Sequence, residues 1–168
     1  RDRRAKFGNK PLPKKGAVNT IPTAGLIDRQ ELKIARVSSE SNANQRRAVN
    51  AIDGDPHTHW HTSFSPKIDK HPHELVIDLG SRREVSGIRY LARQDGGWNG
   101  AIAKCEFFVG DSPATFDETV ATMTFRKVKT SQEKTWKPAF GRYVLIRILS
   151  EVNAGPWASI SELGIIGQ

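Results

Sequence analysis

The chain has 168 residues, 37% of them hydrophobic, a single cysteine and a net charge of +8. That length suits one domain with a full core and is short for two. One cysteine excludes an intrachain disulfide, and no run approaches the ~18 apolar residues that a membrane-spanning helix needs.

Residues 1–33 hold nine Lys/Arg against three Asp/Glu, which leaves seventeen against fifteen for the rest. The basicity therefore belongs to a leading arm, and the nearly balanced remainder argues against a nucleic-acid-binding fold. The basic start runs into KPLPKKG rather than an apolar stretch, so no signal peptide is visible, and any export signal is expected upstream. Pro11, Pro13 and Pro22 with scattered glycines make residues 1–31 a linker or lead-in, and 32–168 the folded module.

A first strand is predicted over Leu32–Val37, followed by a polar loop, SESNANQRR. AVNAI (48–52) forms a single helical turn before the turn residues Asp53-Gly54-Asp55-Pro56. HELVIDLG (73–80) and EVSGIRYLAR (84–93) both alternate, and the Gly80–Arg83 stretch between them predicts a hairpin. Further strands follow at IAKCEFFVG (102–110), ETVATMTFRK (118–127), weakly at Lys134–Trp136, at RYVLIRILS (142–150) and at ISELGIIG (160–167). Roughly eight short strands with no long helix predict an all-β, antiparallel β-sandwich. Cys105 reads as a small buried hydrophobe. Four longer loops, 40–50, 62–72, 94–101 and 151–159, carry polar groups, and three of them carry an aromatic: Phe64, Trp98 and Trp157.

Three constellations stand out. Asp53, Asp55 and Thr58 offer hard oxygen ligands for Ca²⁺, or else cap their own turn. His57, His59 and His61, spaced by two, share one face of an extended segment; a zinc site is conceivable there, but no cysteine lies nearby. RQDGGWNG (93–100) gathers a guanidinium, a carboxamide and an indole, the groups that hold a sugar's hydroxyls and C–H face; a Gly-rich hairpin turn is the plain alternative. No nucleophile elbow, P-loop, HExxH or dinucleotide fingerprint is present, so a binding domain without catalysis is expected.

The chain resembles the discoidin-like, galactose-binding-like family of coagulation factor C-type domains and bacterial carbohydrate-binding modules. The resemblance rests on AIDGDPHTHWHT (51–62), HPHELVIDLG (71–80), YLARQDGGWNG (90–100), CEFFVGDSP (105–113), GRYVLIRILSE (141–151) and PWASISELGI (156–165). It implies a jelly-roll sandwich with a structural Ca²⁺ held by Asp53, Asp55, Thr58 and Glu162, with main-chain oxygens of Asn50 and Ser161. It also implies a sugar site in which His61, Arg93 and Asn99 read hydroxyls while Phe64 and Trp157 supply the ring. Glu40 and Trp98 are further candidates, and Trp60 is expected in the core.

The expected protein is a monomeric module on an extracellular, periplasmic or cell-surface bacterial protein, attached to a catalytic or surface domain and binding glycan. Its rivals are a phospholipid- or protein-binding adhesion module, a structural module packed on a catalytic domain, and a polyanion binder working through Arg1–Lys15.

Overall fold

The structure is a computed structural model that describes residues 17–168. The readings made on Arg1–Lys15, including the polyanion-binding arm, lie outside the described residues. Eight strands form: β1 (Lys33–Val37), β2 (Trp60–His61), β3 (His73–Leu91), β4 (Lys104–Gly110), β5 (Ala121–Thr124), β6 (Gln132–Ile148), β7 (Ser159–Ile160) and β8 (Glu162–Gly167). All pairings are antiparallel. The main sheet runs β1-β3-β6-β4-β5 with β8 also on β3, and β2 pairs β7 separately. The all-β sandwich reading therefore holds. AVNAI forms the expected turn, a 3-10 helix over Ala48–Ile52 whose Ala48, Ala51 and Ile52 are buried.

The strand count matches for a different reason than the sequence suggested. The hairpin expected at Gly80–Arg83 does not form. Strand β3 runs straight through, with Glu74–Asp78 opposite Tyr143–Arg147 and Arg83–Tyr90 opposite Gln132–Gly141 of the same partner, β6. The polar segment Gly80–Arg83 interrupts the alternation but only bends the strand. Gly80 takes φ +82, and its N–H donates to Asp78 Oδ1 at 2.8 Å, which absorbs the irregularity without reversing the chain. The two strands expected at Lys134–Trp136 and Arg142–Ser150 are likewise the two halves of β6.

This bend lets β3 serve two neighbours. Its first half pairs β1 and its second half pairs β8. The apolar side chains of Leu75, Ile77, Ile88, Tyr90, Phe107, Ile146 and Ile165 are all essentially inaccessible and fill the space enclosed. Trp60 is completely buried, and its indole N–H donates to Ser39 O at 2.9 Å, so it is core as expected. Cys105 is buried there too, and burial pushes its thiol pKa far up.

The lead-in is part of this unit from residue 19 onward. Ile27 is 5% exposed and its N–H donates to Ile165 O at 2.9 Å, while Gly167 N–H donates to Gly25 O. Arg89 Nη1 holds the carbonyls of Pro22 and Ala24 at 2.8 and 2.6 Å. The boundary expected at residue 32 thus falls inside the packed structure. Prolines hid this segment from any periodicity reading, yet two apolar residues and backbone pairing to the β8 edge are enough to dock it.

Candidate functional site

The histidine-rich stretch and the final strands meet through the short β2–β7 ladder, with Trp60 opposite Ile160 and His61 opposite Ser159. Thr62 extends it, donating N–H to Ala158 O at 2.9 Å and accepting from Ala158 N–H at Oγ1 at 3.0 Å. The 94–100 loop is pressed against the same segment by Gly100. Its φ is +85, and a Cβ there would lie 2.5 Å from backbone atoms of Ala158 and Ser159, so only glycine permits the approach. Glu151, 4% exposed, receives Gly100 N–H at 2.9 Å, and Ser159 Oγ donates to Asn99 O at 2.8 Å. Loops distant in sequence thereby converge around His61.

Five of the candidate residues come together there. The His61 ring stands 5.1 Å from Phe64, edge to face, and 6.3 Å from Trp157. His61 Nδ1 lies 2.7 Å from Thr62 O, which fixes the proton on Nδ1 and leaves Nε2 as an acceptor. Arg93 is 6% exposed; its Nε and Nη2 donate to the two oxygens of Asp95 at 2.7 and 2.6 Å, and its Nη1 donates to Asn99 O at 3.0 Å. Three of five guanidinium N–H groups are thus spent on orientation and two remain. The Asn99 carboxamide is exposed, with no hydrogen bond among the described residues.

The other two sugar candidates sit differently. Glu40 accepts the N–H of Ala48 at 2.7 Å, so it caps the 3-10 turn with one carboxylate oxygen. Trp98 packs against the main core with the Lys129 ammonium 3.9 Å over its ring, and that face is covered by charge. Both serve to shape loops. Sequence reasoning passed over Asp95, which holds Arg93. It also passed over His73, completely buried, whose Nε2 donates to Pro156 O at 2.6 Å and steadies the loop that carries Trp157. The i, i+2 spacing of Arg93 and Asp95 was the available signal for the first. Nothing local signals the second, because the partner is 83 residues away.

Burial favours the uncharged form of the two histidines here. His59, 7% exposed, has its pKa lowered to about 3 by burial and then by the charges of Arg93 and Arg46. Burial lowers His61 as well, with Arg93 and Arg46 acting in the same sense. The Arg93 guanidinium holds Asp95 far below the usual carboxylate range. A histidine depressed in the folded state contributes stability above its unfolded value of about 6.5, and loses it as pH falls. His59 alone is therefore expected to cost about 1.4 kcal/mol at pH ~5.5 relative to pH ~7.5. Chemical denaturation of wild type and His59→Gln at the two pH values checks this; the variant should lose less on acidification.

The oxygen-rich turn lies on the other flank. Asp53 Oδ1 accepts Asp55 N–H at 2.8 Å, and Asp53 Oδ2 accepts Thr58 Oγ1–H at 2.5 Å. Glu162 arrives at the start of β8, 5% exposed, with Oε1 lacking any hydrogen-bond partner. Its pKa is pushed up to about 9, first by burial and then by the hydrogen-bonded Asp53 carboxylate beside it. Asp55 faces His57, whose Nδ1 is 3.1 Å from Oδ1. The Asn50 amide donates to Gln45 O and His59 O, and Ser161 Oγ donates to Pro56 O at 2.7 Å. Among the described residues no three His, Cys, Asp or Glu side chains are grouped as a metal would need. Any cation here would rest on Asp53, Glu162, Thr58 and carbonyl oxygens. A cavity of about 660 Å³ adjoins this flank, lined by Ile21, Leu26, Arg29, Gly54, Glu162 and Leu163 among others, and none of the sugar candidates reaches it.

A β-sandwich that presents buried polar side chains and aromatic rings from converging loops is a binding module by architecture. The chain belongs to the F5/8 type C domain family, whose model matches residues 34–163. It is 34% identical over 148 residues to a sialidase from Micromonospora viridifaciens, covering 87% of this chain and 23% of that protein. It is 31% identical over 147 residues to a galactose oxidase from Gibberella zeae, covering 87% and 21%. The chain thus spans less than a quarter of these relatives' length.

Among solved structures, it is similar to the family 32 carbohydrate-binding module of Clostridium perfringens NanJ in complex with galactose. That match has a TM-score of 0.73 and 30% identity, and covers 84% of this chain and 97% of the other. It is also similar to the module CpGH89CBM32-5 from the same organism, in complex with GalNAc-β-1,3-galactose. There the TM-score is 0.76 and the identity 26%, with 84% and 99% covered.

Proposed function

We propose that this module is non-catalytic and binds a galactose-like sugar, carrying an attached enzyme or surface domain to glycans outside the cell. The observation that supports this most is the convergence on one spot of three unspent polar groups and two rings. His61 Nε2 accepts from a hydroxyl, the two remaining Arg93 N–H groups donate to ring or hydroxyl oxygens, and the Asn99 carboxamide does both. Phe64 and Trp157, flanking His61, lie against the sugar's C–H face. Orientation is set beforehand by Asp95 and by the Arg93–Asn99 bond, so little ordering remains to be done on binding. With so few contacts, affinity near ~1 mM is expected, about −4 kcal/mol, and useful retention then comes from tethering several modules.

Calcium is assigned a structural role in this reading. Asp53 and Glu162, with Thr58 and the carbonyls of Asn50 and Ser161, would hold it. What supports the assignment is a nearly buried carboxylate beside another, one oxygen of which has no partner. A divalent cation there neutralises both acids and ties the early turn to the last strand.

Retention of wild type on immobilised galactose, with anionic liposomes run in parallel, tests the reading. Binding to vesicles with no retention on any glycan would replace it with the lipid-adhesion alternative.

A further inference from the structure

The sugar site contains one more cation than its architecture uses. Arg46 lies in the loop before the 3-10 turn. Its N–H donates to Ser41 O at 2.9 Å and its carbonyl accepts His61 N–H at 3.1 Å, which sets it directly across from His61. Asn50 Nδ2, bonded to Gln45 O at 2.8 Å, fixes the positive-φ residue before it. The Arg46 guanidinium is half-buried, yet among the described residues no hydrogen bond or ion pair engages it. Its charge lowers the pKa of His59 and His61, and Arg93 in turn lowers that of Arg46, so these groups lie within electrostatic reach of one another.

Among the described residues none of the acids forms an ion pair with it. Asp95, the carboxylate that acts on the same groups, is already taken by both arms of Arg93. Glu151 and Glu40 each spend an oxygen on a backbone amide, those of Gly100 and Ala48. On the far side of Arg93, Lys129 adds a further positive charge, held by the carbonyls of Arg93 and Gly97. Two guanidiniums therefore neighbour His61, and among the described residues the carboxylate that engages one of them, Asp95, serves Arg93 alone. A neutral hexose leaves the second without a partner. A carboxylate or sulfate ester would satisfy it with two parallel N–H···O bonds.

We infer that Arg46 makes this a site for an anionic sugar, in which the free guanidinium pairs with a carboxylate or sulfate carried by the galactose-like ring or its neighbour. The inference rests on the sugar-site reading above and narrows it to acidic glycans. Since Arg46 is partly open to solvent, the pairing is worth about a tenfold preference over the neutral sugar at low salt and shrinks as salt screens it.

Titration with galactose, galacturonic acid and galactose 6-sulfate at about 0.05 M and about 0.5 M salt reads this preference directly, and the two acids separate carboxylate from sulfate chemistry. Wild type should bind at least one acid about tenfold tighter than galactose at low salt, with the ratio falling at high salt. In Arg46→Ala the ratio should drop to about one, whereas Arg46→Lys should keep part of it, because lysine supplies charge without the fork. The readout is a ratio, so a general weakening of the variants leaves it interpretable. Equal binding of all three sugars by wild type, or a ratio unchanged in Arg46→Ala, overturns the inference while leaving the sugar site intact. Failure of all three to bind overturns both.

Discussion

Asn99→Ala is expected to abolish retention on a galactose column while leaving the melting temperature essentially where it was. The side chain is exposed and makes no hydrogen bond among the described residues, so its loss should fall within about 0.5 kcal/mol of stability. What it removes is a group that both donates and accepts at the centre of the site. Losing it from a weak ligand costs about 1.4–3 kcal/mol, enough to take a millimolar interaction out of measurable range. Arg93→Ala should abolish binding too, but not cleanly. It strips Asp95 of its partner and frees the loop from the Nη1–Asn99 bond, so about 1–3 kcal/mol of stability should go with it. The contrast is diagnostic: two variants silent in binding, one of them silent in stability. Retention of both on the column would place the site elsewhere.

The second large effect is expected from calcium. Stripped of divalent ions, the domain should melt lower than at saturating calcium. A hundredfold excess over the dissociation constant contributes about 2.7 kcal/mol. For a domain of this size that is about 5–11 °C. Glu162→Gln should erase the response, because the amide cannot supply the charge. It should also make the metal-free protein less sensitive to alkaline pH. An acid whose folded pKa is raised stabilises the fold below its unfolded value and loses that contribution as pH climbs toward about 9, and the amide has no proton to lose. A melting temperature indifferent to chelator in wild type would remove calcium from the account.

Much of this was legible before the fold was known. Leu75, Ile77 and Leu79, and Val144, Ile146 and Ile148, alternate cleanly and are all buried as that alternation requires. The motifs around His61, Arg93 and Asn99 pointed to loops that do converge. What could not be read was connectivity at a bend. Gly80–Arg83 has the composition of a reverse turn, and only the shared partner β6 reveals a strand that continues through it.

Roles that depend on a distant partner were equally hidden. His73 gave no local sign of its partner, yet it supports Pro156, 83 residues away. Trp98 looked like a ligand platform because it sits in a polar loop, whereas Lys129, thirty-one positions later, covers it. Arg46 lies in a segment that reads only as polar loop, and the fold sets His61 across from it. Single side chains announce their chemistry in sequence, while their availability is a property of the neighbours the fold brings to them.

The central claim is that the binding surface lies at His61 and not at the cavity beside Glu162. Titrating galactose into isotopically labelled protein and following amide and side-chain NMR shifts tests it most directly. The predicted result is saturable change confined to His61, Phe64, Arg93, Asn99 and Trp157 and their immediate neighbours. Change centred instead on Ile21, Leu26, Arg29 and Leu163, or no saturable change at any sugar concentration, would contradict it.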